Sequence, residues 1–235
     1  MNRKKATTIV LLTAGAVLTL ATVNCIVDVT NANLEAKIKA EIERNNQLQA
    51  EIAEVERQAE MLQTLVTTIQ QAESLARRYN TDLDIILLVY RMAEKYTLDV
   101  ELLASVIQQE SRFNPQAGNR NENGSYDRGL MQINSGTAHW LADQSGIDNF
   151  QMSMLYDPEV NMEMGSWYLR YLLNKYDDNL SSALTAYNRG PGGLQSYHTN
   201  TGTYGSRYSN SILVRYQPKK GRMASYLFAK TQKLL

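Results

Sequence analysis

One carboxylate, Glu110, lies where the sequence could supply a proton to a reaction. It falls at the predicted C-terminal end of a mostly apolar helix, after Val106 and Ile107 and before a polar loop. The negative end of the helix dipole and burial against apolar side chains both disfavour an ionised carboxylate. A carboxylic acid that stays protonated near neutral pH can protonate the leaving oxygen when a glycosidic bond breaks. Most glutamates at helix ends are simply solvated, so this position alone does not establish chemistry.

Three short motifs follow one another in the chain, and the first contains Glu110. It reads Gln-Glu-Ser-Arg-Phe-Asn-Pro from Gln109, and its Asn114-Pro115 step predicts the end of the helix. The second reads Gly-Leu-Met-Gln-Ile-Asn over 129–134, after a polar stretch rich in Gly and Asn. The third reads Ala-Tyr-Asn-Arg-Gly-Pro-Gly over 186–192.

In this order the three motifs resemble those of the soluble lytic transglycosylase family, which shares the lysozyme-like fold and acts on peptidoglycan. The resemblance covers about residues 98–217. It includes a pattern similar to that of the family's helix that packs behind the site, formed by Asn161, Gly165, Tyr168 and Leu169. It implies a mainly α, lysozyme-like domain with at most a short β-hairpin, which Gly124-Ser125 would turn.

The resemblance also implies roles for individual residues. Glu110 would be the catalytic acid and then base, and Tyr187 would contact Glu110 or the transition-state oxygen. Ser111 would hydrogen-bond Glu110 and orient it, or would be a plain polar residue at a helix end. The remaining residues would bind substrate or shape its groove. Met131 would form part of the groove wall or of the core, and Gln132 would hydrogen-bond a sugar. Asn134 in the second motif and Asn188 in the third would also contribute to the substrate-binding site.

Asp127 belongs to a second resemblance. The stretch from Glu110 to Ser135 is very similar to c-type lysozymes, in which the position of Asp127 carries the second carboxylate. Transglycosylases of secretion and conjugation machines resemble its Gly-Ser-Tyr-Asp-Arg-Gly pattern. Asp127 is therefore a working second carboxylate, a group that stabilises charge on the sugar ring, or a loop residue that holds the turn.

These resemblances imply cleavage of the β-1,4 bond between N-acetylmuramic acid and N-acetylglucosamine, with a 1,6-anhydromuramic product. The first alternative is a lysozyme-type muramidase that hydrolyses the same bond with Asp127. The second is a membrane-to-wall tether that does not cut. No organic cofactor or metal is expected, because two His and one Cys do not make a zinc site. Balanced charge, with 24 basic and 24 acidic residues, gives no reason to expect nucleic-acid binding.

The N-terminal region, 1–29, predicts a transmembrane anchor. An uncharged stretch over 6–27 follows Arg3, Lys4 and Lys5. Its length is close to the roughly 20 residues that a helix needs to cross a bilayer. The basic end should stay in the cytoplasm, which places the catalytic domain of a single-pass bacterial membrane protein on the cell-wall side. A cleaved signal peptide is the alternative, and lipidation at Cys25 is disfavoured by the bulky Asn24 before it.

The next region, 30–79, predicts a coiled-coil stalk. Apolar residues recur at alternating spacings of four and three from Leu48 to Ile69, and this heptad seam extends back to Leu34 with Asn45 at an a position. A buried Asn there favours two strands, which predicts a homodimer; Glu41 interrupts the seam, which favours a single amphipathic helix. The rest divides into a catalytic domain over 80–218 and a basic tail over 219–235.

The catalytic domain is predicted to be helical almost throughout. Thr81 with Asp84 forms a capping-box pattern, and Asp99 with Glu101 begins the helix of Glu110. Further helices are expected over 135–144, 160–176 and 180–187, with one more in the tail.

Overall fold

The computed structural model describes the backbone of residues 3–216 and the side chains from residue 15 onward. The chain divides into two compact units, Met1–Met61 and Leu62–Leu235. The predicted basic tail, 219–235, lies outside the described residues, as do the side chains of Arg3, Lys4 and Lys5.

The first unit is helical and belongs to α1, which runs over Arg3–Tyr79. Its described part contains a stretch long and apolar enough to cross a membrane, none of it buried within the protein. A signal sequence would pass the same test of length and composition. The seam residues are also solvent-exposed: Leu48 is 46%, Ile52 57% and Val55 64% accessible.

The second unit begins at Leu62, before the boundary at residue 80 that the sequence predicts. The last turns of α1 bury Thr68, Ala72, Leu75 and Ala76, and for this reason they belong with the core rather than with an exposed stalk. The predicted division into a coiled-coil stalk over 30–79, a catalytic domain over 80–218 and a tail over 219–235 stays a prediction.

Two helices lead to the first motif, α2 (Leu83–Lys95) and α3 (Val100–Glu110). The predicted capping box of Thr81 and Asp84 is wrong, because Asp82 is the N-cap of α2 and makes no capping hydrogen bond. The start of α3 is as predicted: the Asp99 carboxylate accepts from the backbone N–H groups of Glu101 and Leu102, at 2.8 and 3.2 Å. These bonds satisfy donors that a helix N-terminus leaves free.

A small antiparallel sheet follows α3, with strands β1 (Gly118–Arg120), β2 (Tyr126–Arg128) and β3 (Ile133–Asn134) in that order. The predicted hairpin at Gly124 is present, since β1 pairs with β2 and Gly124 has a φ of +83°. β3 is an addition that the sequence did not predict. It pairs Asn134 with Asp127, so that the second motif is joined to the central strand.

Four more helices follow in the described part of the second unit. They are α4 (Ala138–Ser145), α5 (Pro158–Lys175), α6 (Leu180–Thr201) and α7 (Arg207–Arg215), with a short 3-10 turn over Met152–Tyr156 before α5. The first three overlap the predicted segments, α7 was not predicted, and the helix predicted for the tail lies outside the described residues. α6 is longer than predicted because the chain resumes a helix after a kink at Gly190, whose φ of +71° suits glycine. The mainly α fold class is therefore confirmed.

Candidate active site

Glu110 is the last residue of α3, and Ser111 follows it as the C-cap. Ser111 does not hydrogen-bond Glu110 as the resemblance implied. Its hydroxyl donates to the carbonyl of Ile107 at 3.3 Å, one turn earlier in the helix. The same carbonyl also accepts from the backbone N–H of Ser111 at 3.0 Å, so Ser111 bonds back to its own helix end, which is the alternative that the sequence left open.

The partner of the Glu110 carboxylate is Tyr208, from α7. The Tyr208 hydroxyl donates a hydrogen bond to Oε1 of Glu110. Oε2 has no hydrogen bond to any residue between 15 and 216. One oxygen of the carboxyl group is therefore held, and the other is available to a ligand.

Burial raises the pKa of Glu110 to about 7. The hydrogen bond from Tyr208 opposes this rise, and the negative charge of Asp127 adds to it. Glu110 is thus close to half protonated at neutral pH, so it can donate a proton in one step and accept one in the next. The sequence predicted the direction of this shift and burial as one of its causes.

Asp127 lies at the centre of the small sheet and is held by two amides. Its Oδ1 accepts from Asn134 Nδ2 at 2.6 Å, and its Oδ2 accepts from Asn121 Nδ2 at 3.0 Å. Both carboxylate oxygens of Asp127 are therefore held in place by side-chain amides. Asn134, predicted to bind substrate, is therefore a direct partner of Asp127.

The segment after β2 is fixed to α5 by Asn161, which is completely buried. Asn161 Nδ2 donates to the carbonyls of Arg128 and Leu155, both at 2.8 Å, and its Oδ1 accepts from the N–H of Met131 at 2.7 Å. Gly129 lets the strands approach this amide: a Cβ there would lie 2.3 Å from Asn161 Nδ2. The predicted helix behind the site is therefore α5.

Gln132 and Met131 both make contacts within the protein, and the sugar contact of Gln132 stays a prediction. Gln132 has a φ of +48°, and its Nε2 donates to the carbonyls of Gly129 and Ala117 at 2.8 and 3.2 Å. The Met131 side chain is completely buried and faces Gly165. It therefore belongs to the core, as the alternative held, and does not form a groove wall.

Tyr187 lies beside the second motif rather than on Glu110. Its hydroxyl donates to the carbonyl of Met131 at 3.0 Å, and its ring packs against Tyr168. Burial raises the pKa of Tyr187 well above its usual value, and the nearby charges of Glu110 and Asp127 add to the rise. Tyr187 is thus a neutral group close to both carboxylates. Asn188 is solvent-exposed, and its role stays a prediction.

Tyr208 is the residue that the sequence analysis missed. It is separated from Glu110 by 98 positions, and no motif predicted from the sequence contains it. The available signal was the Ser206-x-x-Ser209 pattern, which begins a helix with a capping box. That pattern places Tyr208 in the first turn of α7, but it does not identify which residue the hydroxyl meets.

The geometry brings a proton-donating carboxyl, a hydrogen-bonded carboxylate and two half-buried tyrosines together. No cluster of three or more metal-ligating side chains occurs in the part of the chain that the structure describes. A family model described as the transglycosylase SLT domain matches residues 88–210, which is more than half of the chain. The chain belongs to this family. Its membership agrees with the predicted recognition and with the lysozyme-like fold class.

Curated relatives of this family member include the membrane-bound lytic murein transglycosylases C of Serratia proteamaculans and Pectobacterium atrosepticum. They are 35% and 32% identical over 123 residues, an alignment that covers 46% of this chain and 31% of each relative. The chain thus spans about a third of the length of these relatives.

Two solved structures are also similar to this SLT-family chain. The lytic transglycosylase Slt of Pseudomonas aeruginosa is 26% identical with a TM-score of 0.44, over 63% of this chain and 24% of that one. The 70 kDa soluble lytic transglycosylase of Escherichia coli is 23% identical with a TM-score of 0.49, over 66% of this chain and 26% of that one.

Proposed function

We propose that the chain is a peptidoglycan lytic transglycosylase that cleaves the β-1,4 bond between N-acetylmuramic acid and N-acetylglucosamine. The observation that carries the proposal is the state of Glu110, whose pKa is raised to about 7 by burial while Tyr208 holds one of its oxygens. A carboxyl group of this kind suits glycosidic cleavage. Membership of the SLT family and the names of the curated relatives support the same chemistry.

The reaction begins when protonated Glu110 gives its proton to the glycosidic oxygen, whose bond to C1 of the muramic sugar breaks. Positive charge develops at C1 and the ring oxygen. The sugar's own N-acetyl group, or the carboxylate of Asp127, stabilises this charge. Asp127 suits the second role because the hydrogen bonds from Asn121 and Asn134 hold both of its oxygens in place.

In the second step the carboxylate of Glu110 accepts the proton of the muramic 6-hydroxyl. The oxygen of that hydroxyl closes on C1, and this ring closure gives the 1,6-anhydro product without water. Glu110 returns to its protonated state, so that no cofactor is needed. Tyr187 would act by holding the carbonyl of Met131, and through it the second motif, beside the reacting sugar.

A muramidase that hydrolyses the same bond is the second candidate, and Asp127 is the observation in its favour. Its carboxylate lies close enough to Glu110 to raise the pKa of that group. In a retaining hydrolase such a carboxylate bonds to C1 or stabilises it until water attacks. The family favours cyclisation, so hydrolysis remains the alternative.

We also propose that the chain is anchored in the bacterial membrane by the apolar part of α1, with the second unit on the cell-wall side. The curated relatives are named membrane-bound, and the N-terminal stretch has the required length and hydropathy. We further propose that the chain forms a homodimer, because its heptad seam is exposed. We also propose that it acts with a secretion or conjugation machine, on the basis of its Gly-Ser-Tyr-Asp-Arg-Gly pattern.

The proposal is tested by incubating the full chain, purified in a nonionic detergent, with purified cell-wall sacculi. Glu110→Gln keeps an acceptor for Tyr208 but cannot exchange protons, so we expect lysis to fall by at least about a hundredfold. Glu122→Gln, in the exposed hairpin loop, is the matched control and should lyse sacculi at the wild-type rate. Lysis by the Glu110→Gln variant at the rate of its control would overturn the catalytic assignment and favour a non-catalytic tether.

A further inference from the structure

The face of the small sheet that is turned away from Asp127 carries two arginines and two tyrosines. In the β1–β2 register Arg120 lies opposite Tyr126, and Gly118 lies opposite Arg128. Directly opposed residues and residues two apart share a face of a sheet, whereas Asp127 lies on the other face. Gly118 has no side chain, and a Cβ there would lie 3.2 Å from the Tyr156 hydroxyl, so Tyr156 covers the same face.

The two guanidinium groups of this face have no acidic partner among residues 15–216. The Arg128 guanidinium lies 5.3 Å from the ring centre of Tyr126 and 5.7 Å from that of Tyr156, and Arg120 lies 5.9 Å from Tyr126. Among the described side chains, neither arginine forms an ion pair with a carboxylate. The face therefore carries positive charge held against aromatic rings.

Arg128 is also short of hydrogen-bond partners. Its Nε is buried and has no partner in the described part of the chain, and one terminal nitrogen makes a long bond of 3.4 Å to the carbonyl of Met152. A guanidinium has five N–H donors, and leaving a partly buried cation unpaired is costly. An external anion cannot reach the buried Nε, but the terminal N–H groups that have no acceptor in the described part of the chain can donate to one, and a planar carboxylate matches this pair of terminal nitrogens.

We propose that Arg128 and Arg120 bind a free carboxylate of the peptide stem attached to muramic acid. This inference rests on the proposed function and deepens it, because it assigns a subsite for the peptide part of the same substrate. Asp127 and Arg128 are neighbours on β2, and their side chains lie on opposite faces of the sheet. A sugar beside Asp127 is therefore separated from the arginines only by the thickness of the sheet. A stem of four or five residues reaches about 15 Å when extended, which is enough to pass around the edge strand β1.

The test compares two soluble substrates with the full chain in detergent. One is uncross-linked glycan that keeps its peptide stems, and the other is the same glycan after an amidase has removed them. Both are first treated with hydrofluoric acid to remove phosphate polymers. We expect Arg128→Gln and Arg120→Gln each to lower kcat/KM about tenfold on the stem-bearing glycan, because a charge-assisted hydrogen bond is lost. On the stripped glycan they should stay within about twofold of wild type.

Two further variants keep the test decisive. Arg77→Gln removes an equal charge from an exposed position at the end of α1 and should leave both substrates unaffected. Arg120 is exposed, so its variant reports on the subsite even where Arg128→Gln impairs folding, which the melting temperature reveals. Arg128→Lys keeps the charge but not the fork and should recover only part of the loss.

Three outcomes would overturn the inference. Equal losses on both substrates would mean that the arginines support the glycan site or the fold. A loss that occurs only on walls that retain phosphate polymers would assign the face to those polymers. Wild-type protein that cleaves neither substrate would overturn the proposed function, and the subsite with it.

Discussion

The Glu110 carboxyl is set between two neighbours that act on it in opposite directions. The hydrogen bond from Tyr208 lowers its pKa, and the charge of Asp127 raises it, around a value of about 7 that burial determines. Because the reaction needs the protonated acid, kcat/KM should fall as the pH rises through that value.

This opposition gives a paired prediction for the alkaline limb of the pH profile. Tyr208→Phe removes a group that lowers the pKa, so the limb should move to higher pH. Asp127→Asn removes a charge that raises the pKa, so the limb should move to lower pH, while an Asn oxygen can still accept from Asn134. The position of the limb, measured on soluble glycan, is independent of the absolute rate. Shifts in the same direction for both variants would contradict this account of the site.

The same pKa makes Glu110 a cost to stability at alkaline pH. Its folded pKa lies above the ordinary 4.5, so its favourable contribution is present below about pH 4.5 and is lost as the pH rises through about 7. Glu110→Gln should therefore stabilise the fold by about 3 kcal/mol at pH 8.5 and by much less at pH 5. Thermal unfolding at the two pH values measures this, with Glu122→Gln as the control. An equal effect at both pH values would show that Glu110 ionises freely.

At the residue scale, the sequence predicted candidate site residues within its motifs. It did not predict which residues from distant parts of the chain contact them. Glu110 and the direction of its pKa shift follow from its helix-end position and apolar neighbours. Tyr208 could not be found, because its partner is 98 positions away. Met131 was assigned to the groove because a motif does not say which way a side chain points, and the close approach of Gly165 turns it into the core.

The element that matters most for the site is the turn from β2 into the second motif. The buried amide of Asn161 bonds two backbone groups of this turn, those of Arg128 and Met131, and joins them to the carbonyl of Leu155. The turn can approach that amide only because Gly129, with a φ of +78°, has no side chain.

Two glycines next to the small sheet, Gly124 and Gly129, both have a positive φ, but an added side chain would meet close neighbours only at Gly129. At Gly129 an added Cβ would lie 2.2 Å from the carbonyl oxygen of Leu155, whereas at Gly124, with a φ of +83°, it would meet nothing within 4 Å. We expect Gly129→Ala to destabilise the protein by about 3 kcal/mol and Gly124→Ala by about 1 kcal/mol. Melting temperatures of the two variants test the difference. Equal destabilisation would mean that only the positive φ matters.

The positions of α2 to α5 and the start of α6 were predicted well, because apolar spacing is a local signal, whereas α7 was not predicted. The third strand was not predicted either, because two residues of β3 carry no alternation that a sequence can reveal. The second half of α6 was also missed, since Gly190-Pro191 is a typical end of a helix and here only bends it.

At the scale of the whole molecule, the apolar seam of α1 is solvent-exposed in the single chain. Its exposed Ile52 and Val55 would be buried in a parallel coiled coil. We expect the full chain in detergent to sediment as a dimer and the double variant Ile52→Glu, Val55→Glu to be a monomer. The matched control places the same two charges outside the seam, at Ala50 and Ala53, and should stay dimeric. A wild-type monomer would leave α1 as a single amphipathic helix.

The central claim, that Glu110 both donates and accepts a proton in one site, is tested most directly by the products. Purified peptidoglycan is digested with the full chain in detergent, and the fragments are identified by mass spectrometry. The account predicts fragments that end in 1,6-anhydromuramic acid, formed without water, and predicts their absence with Glu110→Gln. Fragments that end in ordinary reducing muramic acid, heavier by one water, would contradict cyclisation and make Asp127 the second catalytic carboxylate of a hydrolase.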